Sequence, residues 1–506
     1  MNFKQKNMRI NKLKFIGLAI VATLITVVSC DDEVTLPNLN SIVPETFFKK
    51  KSDIEAASAA AYTHLQTQGL YQRYGYIIPD LMSDEMTPTG DENFLPPYAY
   101  DLSATNSIVE AYWQSCYKGI LIANYVIRNE TTMLANLTSV SDYSQTDIDQ
   151  AVGEGHFMRG LYYYLLVKRY GGVPMPLSDL DEALPRSTEE AVYAQIIEDF
   201  TQASLKLKDK GDLAGQRARA SKGAALGMLG KVNLHRNNLQ EAKNALDAIT
   251  GYSLLPAEQY QDNFNVAGEF NDDESMFEVN FTSDNDDSWA GQGEGLNEIT
   301  FHAQEYAGWG NARPSQKMID EFETDDPRKQ LSILEDGESH GPTNSDIWSG
   351  GTVWYKYSDL YENSATAPES TTNTRFLRYA DVILMKAEVA NKMGDDSQAI
   401  DYLNEIRNRF SLPLYGSTEM DVRGYPVTTS DEVFNAIVHE RMVELCAEQQ
   451  RFDDLVRWGL DATELLLDNN GDSRGYNSSI HKYLPIPQKE IDVNPNLSQA
   501  DQNPGY

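Results

Sequence analysis

Cys30 is the residue whose position most clearly predicts a chemical reaction. It closes the sequence Val27-Val28-Ser29-Cys30, at the end of an apolar run that begins at Phe15. This ending resembles a bacterial lipobox, in which small residues fit the signal peptidase and the cysteine thiol receives a diacylglycerol group. The alternative is an ordinary secreted protein with an unmodified cysteine, but no A-x-A pattern ends the apolar run. We therefore predict lipidation of Cys30.

The residues before Cys30 have the pattern of an export signal. Five basic residues precede the apolar run, and no acidic residue occurs before Asp31. The run is too short for a membrane span, which needs about 20 apolar residues, but it has the length of a signal-peptide core. We predict that residues 1–29 are a lipoprotein signal peptide, that 30–44 form a Pro- and Asn-rich tether, and that the body begins at residue 45.

The sequence contains none of the most recognisable catalytic motifs. The zinc-protease motif H-E-x-x-H, the hydrolase motif G-x-S-x-G and the phosphate-binding motif G-x-x-x-x-G-K-[ST] are all absent from it. His156, His235 and His439 fall in predicted helices without a second His four residues later, so we interpret each as a surface or capping residue. We predict no enzymatic activity, no catalytic residue, no metal ligand and no cofactor.

The chain contains so many acidic residues that a cluster of them is weak evidence for a functional site. The run from Asp284 to Ser288 could suggest a calcium loop, but Trp289 and Gly295 stand where an EF-hand needs Gly and Glu. A looser calcium site stays open. With 76 Asp and Glu in the chain, carboxylate pairs of the kind that glycosidases use arise by chance.

One charged segment is more distinctive. Between Glu440 and Trp458, acids and arginines recur at helical spacing beside Leu, Phe and Trp. At spacings of three and four residues these charges can pair along one face while the apolar residues pack. We interpret the segment as a helix with a structural ion-pair network, although a catalytic role stays open.

Composition excludes several classes of protein. The chain has 506 residues, of which 41% are hydrophobic and 23% charged, with a formal charge of −34. This composition supports a large core and excludes disorder along the whole chain. The negative charge argues against binding to nucleic acid, which needs a basic surface.

Cys116 and Cys446 fall in helical patterns, and we predict that both are small core residues.

Most of the secondary-structure elements that position these residues are predicted to be helices. Hydrophobic periodicity indicates helices over about 52–68, 108–129, 146–170 and 187–208. The third ends at Gly171-Gly172-Val173-Pro174, where glycine can cap the helix and proline stops it. The fourth opens with the capping-box pattern Ser187-Thr188-Glu189-Glu190.

Two further segments look like copies of one helical hairpin. Residues 218–249 and 378–409 each show two helices, broken at Asn237-Asn238 and at Gly394-Asp395-Asp396. Gly230 and Ala387 each precede an alanine of the second helix by 12 residues. Small residues allow close helix contact, and the spacing resembles a tetratricopeptide repeat of about 34 residues. Unrelated hairpins with alanine at their contacts are the alternative.

Two segments have a different composition and are rich in Gly, Asn, Asp, Ser and aromatic residues. They lie near 70–106 and 250–373, and residues 276–281 of the second alternate like a strand. Loops longer than about 15 residues are uncommon in compact domains unless they are functional. We therefore expect a site in these two loop-rich insertions.

Motifs along the mature chain resemble those of the SusD/RagB family, the outer-membrane nutrient-uptake lipoproteins of Bacteroidetes. The matching motifs are GHFMRGLYYY at 155–164, YGGVP at 170–174, PRST at 185–188, RYADV at 378–382, ER at 440–441, DLVRWG at 454–459, LPIP at 484–487, NP at 494–495 and the terminal QNPGY. The resemblance covers nearly the whole mature chain as one domain, 45–506.

The resemblance implies a mainly α fold, in which a tetratricopeptide-like helical-hairpin scaffold carries large loop-rich insertions and little β structure. It implies a cell-surface lipoprotein that captures an oligosaccharide and delivers it to a partner TonB-dependent, SusC-like outer-membrane transporter, without catalysis. The acids that follow the cysteine, Asp31-Asp32-Glu33, resemble the surface-export signal of this phylum.

Given a sugar ligand, its chemistry selects candidate residues in the insertions. Aromatic rings pack against the C–H faces of sugars, and amide, carboxylate or guanidinium groups hydrogen-bond to the hydroxyls. The candidate ligand-binding residues are Trp289, Tyr306, Trp309 and Asn311 in the central insertion, with Arg73, Asn93 and Tyr98 in the first. The alternative for each aromatic residue is a place in the core of its own loop.

Two other functions stay open. One is a glycoside hydrolase of the same uptake system, for which the sequence offers no acid/base motif. The other is a family member that binds peptide, or a repeat scaffold that binds protein alone; either would bury the aromatic residues beneath the loops.

Overall fold

The computed structural model describes residues 47–89, 94–138, 141–178, 183–213, 215–216, 218–265, 268–271, 273–281, 310–340, 346–357, 372–468 and 471–506. The α-helices there are α1 (Lys51–Ala60), α2 (Tyr74–Met82), α3 (Leu95–Tyr98), α4 (Ser107–Arg128), α5 (Glu130–Asn136), α6 (Gln145–Tyr170), α7 (Glu189–Lys206), α8 (Lys222–His235), α9 (Leu239–Asp247), α10 (Gln316–Glu321), α11 (Arg328–Ser332), α12 (Tyr379–Lys392), α13 (Asp396–Arg409), α14 (Thr418–Arg423), α15 (Ser430–Glu444), α16 (Arg451–Trp458), α17 (Asp461–Glu464) and α18 (Gln488–Val493). Short 3-10 helices lie at Thr63–Gln66, Lys210–Asp212, Ala257–Asn263 and Gln499–Asp501.

Strands are few and short in this part of the chain. They are β1 (Met86–Pro88), β2 (Ser275–Val279), β3 (Ala312–Pro314), β4 (Ile333–Leu334), β5 (Ser339–His340), β6 (Asp346–Ile347), β7 (Val353–Trp354) and β8 (Thr374–Arg378). They form four two-stranded antiparallel sheets, β1–β3, β2–β8, β4–β7 and β5–β6. The prediction of a mainly α fold with little β structure is confirmed.

The longest helices begin and end where their capping residues predict. Ser144 Oγ accepts a hydrogen bond from Asp147 N, and the Asp147 carboxylate accepts one from Ser144 N, so α6 begins with a capping box. Gly171 follows α6 with a φ of 68°, a conformation that glycine adopts without strain. Thr188 Oγ1 caps α7 by accepting from Ala191 N. The first predicted helix is too long, because α1 ends at Ala60.

Helix α6 is the centre of the largest core cluster. Tyr162, Tyr163, Tyr164 and Tyr170 are all buried on it, and their hydroxyls find partners; Tyr162 Oη donates to Ala61 O and Tyr163 Oη to Pro176 O. Gly119 of α4 lies against the Tyr162 ring, so close that an added Cβ would be 2.2 Å from its atoms. A buried tyrosine thus packs as an apolar ring without leaving a polar atom unpaired.

The two predicted hairpins are α8–α9 and α12–α13, with breaks at the predicted residues. Gly230 of α8 lies directly against Leu246 of α9, and the counterpart Ala387 of α12 is fully buried. The tight turns use left-handed backbone at Asn237 (φ 59°) and Gly394 (φ 84°). Gly230 therefore lies at the helix contact, as the spacing predicts, and Ala387 belongs to one core cluster with Ala399 and Leu403 of α13.

The predicted C-terminal helix is wrong in its extent. It is split into α15 and α16 by residues 445–450, where Ala447 and Gln449 have positive φ. Its acids pair mainly with distant arginines rather than along one face: Glu444 contacts Arg328, Arg378 and Arg409, each at 2.7–3.1 Å. His439, which the sequence analysis interprets as a surface or capping residue, is buried in this network with Nδ1 2.6 Å from Glu321.

The segment 70–106 is less loop-like than predicted. It contains α2, β1 and α3, and Tyr71, Tyr76, Phe94 and Tyr100 belong to the core. In the central segment, β2 pairs with β8, so the strand predicted at 276–281 is present at Ser275–Val279. Cys116 and Cys446 are buried free thiols, as predicted. Residues Phe48–Tyr506 form one compact unit.

Candidate functional site

The small β1–β3 sheet joins the two segments in which the sequence predicts a site. Thr87 of β1 lies opposite Arg313 of β3. Beyond the ladder, Thr89 N donates to Asn311 O at 3.0 Å, and Thr89 Oγ1 donates to Gly310 O at 2.7 Å across 221 positions of sequence. The described parts of both segments therefore share one surface.

One face of this sheet is in the core and the other is partly exposed. Met86 and Ala312 are core residues, whereas Thr87 and Arg313 are only partly buried. Alternate residues of a strand point to opposite faces, and residues directly opposite in the ladder point to the same one. Thr87 and Arg313 therefore lie side by side on the outer face.

A cavity of about 400 Å³ opens beside Thr87. It receives residues from the first segment, from the central segment and from the C-terminal part of the chain. The residues that line it are Asp84, Met86, Thr87, Tyr98, Ser315, Gln316, Lys317, Asp320, Glu321, Glu464, Leu467, Asp468 and Arg474. Aromatic, amide, carboxylate and cationic groups thus meet in one concave surface.

Tyr98 contributes a fixed aromatic ring to the cavity wall. The Arg474 guanidinium lies over the ring, with Cζ 4.1 Å from the ring centroid, and its Nη2 donates to Tyr98 O at 3.1 Å. Arg474 also donates to Ser83 O and Leu81 O, both at 2.6 Å. Burial raises the pKa of Tyr98, so its hydroxyl remains protonated at neutral pH and can donate a hydrogen bond.

The cavity lysine, Lys317, is held by acids, and its partner Asp84 is shared with the buried Arg451. Lys317 pairs with Asp84 at 2.5 Å and also with Glu464, and Arg451 Nε lies 2.8 Å from Asp84. Burial by itself would raise the pKa of Asp84, but Arg451 and Lys317 lower it well below its usual value. Burial would lower the pKa of Lys317, yet Asp84 and Glu464 raise it. Both groups remain charged and neutralise one another.

Carboxylate and amide groups complete the polar rim. Gln316 Nε2 donates to Asp320 Oδ1 at 2.8 Å, and both residues are exposed. Such groups can accept from and donate to the hydroxyls of a neutral ligand. An aromatic face beside hydroxyl-binding groups is an arrangement that holds a sugar ring.

The structure brings two of the predicted site residues to this surface. Tyr98 lines the cavity, and Asn311 comes two residues before Arg313, although only 9% of it is exposed. Arg73 packs over the Phe94 ring, with Cζ 5.6 Å from the centroid, and does not line the cavity. The predictions for Cys30, Asn93, Trp289, Tyr306 and Trp309 fall outside the described residues.

Sequence reasoning missed Thr87, Lys317 and Arg474. Thr87 belongs to a three-residue strand, too short for a periodic pattern. Lys317 and Arg474 lie in a short helix and in a turn-rich stretch whose sequence does not identify their partners. Their role follows from contacts across the fold.

Two other cavities lie on the helical scaffold. One, of about 310 Å³, is formed by α9, α12 and α13, and the other, of about 360 Å³, lies between α4 and the C-terminal segment around α18. Over the ranges given above, no three His, Cys, Asp or Glu side chains are grouped to hold a metal. In the same ranges no helix is long and apolar enough to cross a membrane.

Comparison with known families identifies two matching regions. Residues 335–506 match the model described as the SusD family, and residues 41–234 match the model described as starch-binding associating with outer membrane. The region 41–234 ends before the central segment, and the region 335–506 includes the last part of that segment, residues 335–373.

Individual proteins are similar over nearly the whole chain. SusD-like protein P2 of Formosa agariphila is 27% identical, over 98% of this chain and 100% of its own. A SusD superfamily protein from Bacteroides vulgatus has a solved structure with a TM-score of 0.76 and 27% identity, over 91% of this chain and 100% of that chain. A laminarin binding SusD-like protein has a TM-score of 0.72 and 24% identity, over 90% of this chain and 100% of that chain.

Proposed function

This chain belongs to the SusD/RagB family, and from that premise we propose that it is a cell-surface lipoprotein that captures an oligosaccharide. The proposed ligand site is the cavity beside Tyr98, extended by Asn311, Arg73 and the predicted residues Asn93, Trp289, Tyr306 and Trp309. The protein then delivers the glycan to a TonB-dependent, SusC-like transporter in the outer membrane and performs no catalysis itself.

The observation that carries the proposal is the convergence of both insertions on one cavity. Tyr98 offers a ring that Arg474 holds in place, and Gln316 and Asp320 offer groups for sugar hydroxyls. The size is also suitable, because ligand pockets commonly enclose about 300–1,000 Å³. The similarity to a laminarin binding SusD-like protein supports a glycan as the ligand.

The proposed lipid anchor and outer-membrane location rest on other observations. The lipobox-like ending at Cys30 supports a lipid anchor, and several acyl chains would hold the protein firmly on the membrane. The matched family model, described as associating with outer membrane, supports that location. A Cys30→Ala variant should leave the membrane fraction; retention of the full amount there would contradict the anchor.

Binding can be tested by calorimetry on a panel of neutral and acidic oligosaccharides. Tyr98→Ala should weaken binding about thirtyfold, the equivalent of about 2 kcal/mol for an aromatic residue at a binding centre. Tyr402→Ala is the matched control, because Tyr402 is a partly buried tyrosine of the scaffold cavity. Equal affinity of Tyr98→Ala and the parent would move the site elsewhere, and release of shorter sugars from a labelled glycan would favour a hydrolase.

Delivery can be tested separately from binding. Purification of the tagged protein from outer membranes should recover a TonB-dependent transporter encoded beside it. Growth on the bound glycan should require both proteins. Growth that is unchanged when this chain is deleted would contradict a role in delivery.

A further inference from the structure

Arg313 is an arginine without a polar partner in the part of the chain that the structure describes. Its Nε is buried and has no hydrogen-bond partner, and its guanidinium forms no ion pair there. The terminal Nη groups are the donors that a ligand can reach, because Nε has almost no accessible surface. A ligand oxygen would supply the acceptor that these groups lack in the described part of the chain. An arginine side chain without a polar partner is notable in a chain with 76 Asp and Glu against 42 Lys and Arg.

The position of Arg313 is next to the proposed site. It lies opposite Thr87, whose hydroxyl is hydrogen-bonded to the Tyr98 hydroxyl. Its Nη1 lies close to Gly351, where an added Cβ would be 3.3 Å away. Tyr98, Thr87 and Arg313 therefore follow one another along the outer face of the β1–β3 sheet, from the aromatic ring to the unpaired guanidinium.

We infer that Arg313 is a specificity-determining residue that donates two hydrogen bonds to adjacent hydroxyl oxygens of an uncharged sugar. The guanidinium presents its N–H groups in a rigid planar fork, which matches two neighbouring oxygens better than a lysine ammonium does. The inference rests on the proposed function, because it names the class of glycan that the same site takes.

The charge of both insertions argues for an uncharged ligand. Residues 70–106 and 250–373 together contain 31 Asp and Glu but six Lys and Arg. Four of the six are held in ion pairs: Lys317, Arg328, Lys329 and Lys356. The fifth, Arg73, packs over Phe94. A sulfated or uronate-rich chain would meet two guanidinium groups without an acidic partner among the described residues, those of Arg313 and Arg474, beside many carboxylates, and like charges repel.

The test uses calorimetry of the full mature chain with laminari-, malto-, xylo- and mannohexaose, and with oligogalacturonate and sulfated carrageenan oligosaccharides. The parent should bind a neutral member, with an affinity that is nearly independent of salt. Arg313→Met and Arg313→Lys should each bind it about tenfold more weakly, because hydrogen bonds from a charged donor are lost or misaligned. Arg128→Met, which removes an exposed arginine of α4, is the control and should bind like the parent.

The outcomes separate the two proposals. The Arg313 side chain makes no polar contact among the described residues, so neither variant should melt at a lower temperature than the parent. Full affinity in Arg313→Met would overturn its role while leaving glycan binding intact. Full affinity in Arg313→Lys would overturn the need for a planar fork. Tighter, salt-sensitive binding of an acidic oligosaccharide would overturn the uncharged class, and no binding to any glycan would overturn the proposed function itself.

Discussion

Gly230→Ala tests the close helix contact of the first hairpin. In an exposed helix, alanine in place of glycine stabilises by about 1 kcal/mol. Here the new Cβ would lie 2.5 and 2.6 Å from Leu246 Cδ2 and Cγ, whereas ordinary contacts are 3.4–4 Å. Leu246 is fully buried, so it cannot move away freely. Overpacking of this kind costs about 1–3 kcal/mol, and we expect a net loss of about 1–2 kcal/mol.

Urea denaturation followed by circular dichroism measures the free energy of unfolding. Gly211→Ala is the control, because Gly211 has no heavy atom within 4 Å of the added Cβ; its stability should be unchanged or slightly higher. In a Leu246→Ala background the clash is absent, and Gly230→Ala should then stabilise by about the propensity difference. Stabilisation by Gly230→Ala in the parent background would refute the close contact.

Three further predictions concern the buried charges and the ligand. Arg378→Met should lower the free energy of unfolding by about 3–5 kcal/mol, because it leaves Glu274, Glu444 and Glu448 without the guanidinium that contacts each at 2.7–2.8 Å. The control is Arg423→Met at a partly exposed ion pair, which should lower it by less than about 1 kcal/mol. An equally small loss in Arg378→Met would contradict the prediction. Burial would lower the pKa of His439, but Glu321 and Glu323 raise it to about 9. The charged imidazole therefore stabilises the folded state fully below about pH 6.5, and this stabilisation is lost as the pH rises through about 9. The difference in unfolding free energy between the parent and His439→Gln should shrink across this range, and a constant difference would count against the charged imidazole. Trp289→Ala and Trp309→Ala should each weaken glycan binding about thirtyfold without changing the melting temperature; melting at lower temperature in both would instead identify them as core residues.

Local patterns predict the helical scaffold well. Helix α6 ends at a glycine whose left-handed backbone is a local property, and it begins at a capping box of four consecutive residues. The hairpins α8–α9 and α12–α13 follow from small residues at a fixed spacing. In each case the interacting groups are near one another in sequence, so periodicity and capping chemistry contain the information.

The sequence alone therefore determined the ends of α6, the two hairpins and the two segments that meet at the proposed site. The tertiary structure decided how these segments meet, since Thr89 and Gly310 pair across 221 positions. It also decided the charge partners: spacing predicted pairs along one helix, but Glu444 contacts Arg378 across 66 residues. Spacing along the chain records only contacts between near neighbours, whereas the partner of a buried charge depends on which distant elements pack against it. For the same reason the contact of Arg474 with the Tyr98 ring, and the unpaired Arg313 side chain beside Thr87, are visible only in the folded chain.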